Sequence, residues 1–151
     1  MSEIARIADQ LHRAFYGEAW HGPAVLELLQ DVSAERAAAH PLPCAHSIWE
    51  VVNHITAWKR AIPVRLRGTA IELSGEQDWP PISDASAAAW ERALHELETA
   101  HAELEAAVRL LPDSRLNDPV AGRDYDVYFM LHGLVQHDLY HAGQIAVLKK
   151  G

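Results

Sequence analysis

Apolar residues recur at helical spacing along nearly the whole chain, interrupted by clusters of glycine and proline. Ile4, Ile7, Ala8, Leu11 and Phe15 fall on one side of the first segment, which predicts a helix from about Ser2 to Tyr16, ended by Gly17. Trp20-His21-Gly22-Pro23 opens a second, short piece bearing Val25, Leu26, Leu28 and Leu29, with Pro23 suited to a first helical turn. Pro41 and Pro43 then predict an extended connection.

The next helix has the sharpest predicted start. Ser47 followed by Glu50 is a capping box, in which each side chain satisfies a backbone amide at the helix start. This helix is expected to reach about Arg67 and stop at Gly68, with Pro63 kinking or shortening it. Residues 68–83 lack a helical period and contain Trp79-Pro80-Pro81, so they read as a long crossover loop. Beyond it Trp90, Leu94, Leu97, Leu104, Val108 and Leu111 follow alternating steps of four and three, with His101 in the one polar slot and Pro112 at the end. The last helix is expected from about Asp124 to Lys149. It is apolar on more than one face, which places it at the centre or at a contact between subunits. Four long helices and no strand pattern predict a single all-α domain over residues 1–151, a four-helix bundle with a long crossover between its second and third helices.

Composition narrows the chemistry. A chain of 151 residues can bury a core without cross-links, and no apolar run is long enough to span a membrane. The formal charge of −8 argues against nucleic acid as a partner. The segment Met1–Arg6 lacks the features of a secretory signal and Cys44 is the sole cysteine, so a cytoplasmic location is expected. Cys44 has no triad-like context, and neither a glycine-rich phosphate loop nor a Gly-x-Ser-x-Gly elbow is present.

Ten histidines remain to be explained. His137 and His141 stand four residues apart, one above the other on the last helix, on the face that carries Met130, Leu134, Ile145 and Leu148. His54 sits close to Val51 and Trp58 on an apolar side of the second long helix. Imidazoles at core positions are costly unless both ring nitrogens are satisfied. Two readings account for them. Either the three share a divalent metal, leaving a fourth position open as in catalytic zinc sites, or each is bonded separately to a neighbour such as Asn53, Tyr140 or Gln144. The carboxylate di-iron pattern fits poorly, because Glu18-x-x-His21 and Glu98-x-x-His101 leave His137 and His141 unexplained. His101 is expected to be a satisfied core histidine, and His12, His40, His46, His95 and His132 solvated or capping residues. Trp20, His21, Trp58 and Gln144 are candidates for lining a pocket.

The blocks Ala19–Pro23, His46–Lys59, Asp78–Pro81, Tyr128–Gly133 and His137–Ile145 together resemble the DinB-like superfamily, the YfiT-like metal-dependent proteins. The resemblance implies an up-down-down-up four-helix bundle, often a homodimer, with His54, His137 and His141 binding nickel or zinc at one end. It also implies a small-molecule thiol and an electrophile as partners, in a metal-dependent thiol S-transferase reaction. A metal-dependent hydrolase and a non-catalytic metal-binding stress-response bundle are the alternatives.

Overall fold

The computed structural model describes residues 1–151 and contains six α-helices and no strand. They are α1 (Glu3–Tyr16), α2 (Val25–Leu29), α3 (Ala34–Ala38), α4 (Ile48–Leu66), α5 (Ala87–Arg109) and α6 (Val127–Leu148). None is long and apolar enough to cross a membrane.

Side chains at the helix starts do what their chemistry allows. Ser2, Ser33, Ser47, Ser86 and Asp126 each accept a hydrogen bond from an amide in the first turn of the helix that follows. The Ser47–Glu50 pair is reciprocal: Glu50 N–H donates to Ser47 Oγ at 3.2 Å, and Ser47 N–H donates to Glu50 Oε2 at 2.8 Å. Two expectations shift. Pro23 lies before α2, whose first turn begins at Val25 after Ala24, so it leads into the helix without belonging to it. Pro63 sits inside α4, where its missing amide removes one intrahelical hydrogen bond, and the helix ends three residues later at Leu66. The short α3 has no long apolar stripe, buries only Ala37, and went unpredicted.

The four long helices contribute to two apolar clusters. One gathers Phe15, Trp49, Ile55, Trp90, Leu97 and Ile145; the other gathers Ile7, Leu11, Leu66, Leu104, Leu131 and Leu134. The buried Trp90 indole is satisfied where it stands, with Nε1 donating to the Val32 carbonyl at 2.8 Å. Three of the long helices carry buried polar residues between the stretches they give to the two clusters. On α4 these are Thr56 and Lys59, between Ile55 and Ile62; on α5 it is His101, between Leu97 and Leu104. On α6 they are Asp138 and His141, with the half-buried His137 beside them, between Leu134 and Ala142. The core is therefore interrupted by a polar layer, and the candidate chemistry belongs to it.

Candidate metal centre

The fold brings His54 from α4 together with His137 and His141 from α6, and their ligand atoms all lie within 4.8 Å of one another. His54 Nε2 is 3.0 Å from His137 Nε2, which is 3.1 Å from His141 Nε2. His54 and His141 are 6% and 4% exposed, so water satisfies little of either ring.

The partners of the other ring nitrogens decide what faces the centre. His54 Nδ1 lies 2.7 Å from the Asp78 carbonyl oxygen, and His141 Nδ1 lies 2.6 Å from Gln144 Oε1. Both partners are oxygen acceptors, so each Nδ1 carries the proton and each Nε2 presents a lone pair inward. His137 completes the group with its own Nε2, while its Nδ1 is buried without a partner. Burial holds all three imidazoles neutral. It is the largest cause pushing His137 to about 3, followed by repulsion from His141, His54 and Lys59. Burial likewise pushes His141 to about 4 against the opposing bond to Gln144, and lowers His54 against the carbonyl of Asp78.

This donor set fits a divalent cation. Metal–imidazole bonds of about 2.0–2.1 Å hold neighbouring nitrogens roughly 3 to 3.4 Å apart, and the two pairs that include His137 are at 3.0 and 3.1 Å. Without a cation, one proton on His137 Nε2 is all that can join two lone pairs converging on it. The three histidines stand midway along α6, between Leu134 and Ala142, and in the first half of α4.

Residues that pattern reading missed come from the loop between α4 and α5. Asp78 holds His54 by its carbonyl and also accepts a hydrogen bond from Trp58 Nε1 at 2.7 Å on Oδ1. Trp79 stacks on His54 with centroids 4.0 Å apart and on His46 at 3.6 Å, so one indole lies between two imidazoles. The Asp78–Pro81 block was visible as a family feature, but nothing local assigned it to the centre. His46 and His40 both reach Glu50 Oε2, at 3.3 and 3.1 Å, and His12 reaches Glu105.

The remaining expected residues divide. Gln144 is in contact with His141, and Trp58 lies edge-on to His54 and His137 at 6.5 and 6.2 Å. Trp58 and His137 line one cavity of ≈ 210 Å³ between α4 and α6. Trp20 and His21 line a different hollow, with Val135 and Leu139, and Trp20 is fully exposed. Asp138 turns away to pair with Lys59 at 2.6 Å, so it is no base for the centre despite adjoining His137.

Neither a curated protein nor a solved structure gives a significant match. The sequence does match the family described as the DinB superfamily over residues 19–145, a span that includes all three histidines of the centre. The chain belongs to the DinB superfamily.

Proposed function

We propose that the protein binds a divalent metal, nickel or zinc, through His54, His137 and His141 and transfers a low-molecular-weight thiol to an electrophile. The observation that carries this reading is the convergence of three Nε2 atoms, two of them fixed as lone pairs by Asp78 and Gln144. Three neutral imidazoles leave the full charge of the ion uncompensated and leave a further coordination position free. A metal in such a site lowers the pKa of a thiol or water that enters the free position. The protein's own contribution is orientation and dryness. Asp78 and Gln144 fix the imidazole tautomers, and Trp79 covers the flank of His54. In the transfer the thiol gives its proton to water, its sulfur forms a bond to the electrophilic carbon, and the leaving group departs with the electron pair of the broken bond and takes up a proton from water.

The supporting architecture is an up-down-down-up four-helix bundle. Trp49 near the start of α4 packs on Trp90 near the start of α5, and Arg60 further along meets Glu96, which supports a parallel pair joined by the long crossover. His12 of α1 contacts Glu105 of α5, and His54 and Lys59 of α4 meet His141 and Asp138 of α6, which supports antiparallel neighbours. Tyr140 and Val147 stay exposed on α6, 66% and 59%, and support a second copy of the chain as their cover.

The test is consumption of an electrophile with and without added thiol, by the wild type and by His137→Ala. Thiol-dependent turnover lost in the variant is expected. Turnover without thiol, or turnover indifferent to the substitution, would contradict the reading.

A further inference from the structure

The cavity beside His137 carries a feature that the metal centre does not use. Its walls are apolar, built by Trp58 and Ile62 of α4 and by Phe129, Met130 and Leu134 of α6. Yet it is also lined by Arg65, whose side chain sits over the Trp58 ring at 5.0 Å and which is only 5% exposed. The guanidinium donates to the Ile71 carbonyl from Nε at 3.2 Å and from Nη2 at 2.9 Å, and from Nη1 to Tyr125 Oη at 3.1 Å. Neither partner is charged. A cation taken out of water without a counter-ion is costly, and an anion supplied by a ligand removes the cost.

We infer that this cavity takes the electrophilic acceptor, and that the acceptor is a small apolar molecule with a carboxylate held by Arg65 and Tyr125. The inference rests on the thiol-transfer reading for the acceptor's role. Position supports it: Trp58, Ile62 and Arg65 follow His54 along one side of α4, so the anion site lies about 16 Å of helix rise from His54. The apolar walls between leave room for a body that reaches back to His137. Size supports it too, since a cavity of about 150 Å³ accommodates benzene and this one measures ≈ 210 Å³. A hydrophilic thiol would find almost no polar partners on these walls, which assigns the space to the acceptor. Gly133 lines the cavity, and a Cβ built there would meet nothing within 4 Å, so a large side chain at this position would enter the space without striking the rest of the fold.

The experiment is calorimetric titration of the metal-loaded protein, and of the same protein after chelation, with hydrocinnamate and with its neutral amide. The acid is expected to bind roughly ten- to a hundredfold more tightly than the amide in both states. Arg65→Met should erase that preference, and Gly133→Leu should weaken both ligands while leaving metal content and helicity unchanged. Saturating the loaded protein with ethanethiol should leave the acid bound. Equal binding of acid and amide by the wild type would overturn the inference. So would a preference that survives Arg65→Met, one that disappears on chelation and so places the carboxylate on the metal, or mutual exclusion by ethanethiol. If the protein proves to bind no metal, the thiol-transfer reading fails separately, because the carboxylate preference is read in the metal-free protein as well.

Discussion

Lys59 and Asp138 meet at 2.6 Å in the interior, with no part of either side chain exposed. Burial pushes the lysine down and the aspartate up, each towards its neutral form, and their contact opposes both shifts. The Phe15 ring lies 4.8 Å from the ammonium, and Asp138 Oδ1 has no hydrogen-bond partner. The pair joins α4 to α6 beside the histidine cluster and so fixes which faces of the two helices oppose each other.

Removing one member of that pair leaves its partner buried and unpaired. Lys59→Met is expected to cost about 3–5 kcal/mol of stability. The double variant Lys59→Met with Asp138→Leu should recover most of the loss, because an apolar pair needs no counter-charge. Urea unfolding of the four proteins in the cycle measures the coupling. Simple additivity would show that the pair does not act as a unit.

His101 gives the fold an acid-sensitive element. Its ring stacks on Phe15 with centroids 3.8 Å apart, and neither ring nitrogen has a hydrogen-bond partner. Glu105 lies 3.6 Å away, beyond hydrogen-bond reach, and burial still dominates, pushing the imidazole from 6.5 to about 2, with Lys59 and His12 adding to it. The unfolded chain therefore takes up this proton first as pH falls. The stability involved is complete above 6.5 and is lost progressively towards about 2. Its slope is roughly 1.4 kcal/mol per pH unit within that window. His101→Phe should flatten the pH dependence by about that slope, read from unfolding at about pH 7 and about pH 5. An unchanged slope would contradict the neutral, buried assignment.

The two tautomer-fixing contacts differ in kind, which makes them separable. His141 relies on the side chain of Gln144, whereas His54 Nδ1 meets the main-chain carbonyl of Asp78 at 2.7 Å and also its Oδ1 at 3.1 Å, an oxygen that asparagine retains. Gln144→Leu should weaken metal affinity by roughly 10- to 100-fold without unfolding the protein. Asp78→Asn keeps the carbonyl and an acceptor for Trp58, and should change affinity much less. Competition titration with a chelating dye measures both, and the reverse ranking would contradict this account of the centre.

What the sequence revealed depended on how local the signal was. The Ser47–Glu50 cap and the His137–His141 pair are spacings within one helix, and both could be read directly. His54 required a second helix and rested on its apolar surroundings. Lys59 and Asp138 lie 79 positions apart, so no periodicity announces their pairing, and a lysine in an amphipathic helix reads by default as a solvated residue. Asp78 and Trp79 sit in a loop without period, where side-chain direction follows from tertiary packing alone. Trp20 lines the hollow at the break after α1, with its own ring projecting into solvent.

The central claim is that three converging imidazole lone pairs share one ion. Elemental mass spectrometry of the native, untagged protein, beside His54→Ala and His137→Ala, tests it most directly. The account predicts about one divalent metal per chain in the wild type and its loss from both variants. A wild type that holds no metal after divalent ions are restored, or variants that keep it, would contradict the account.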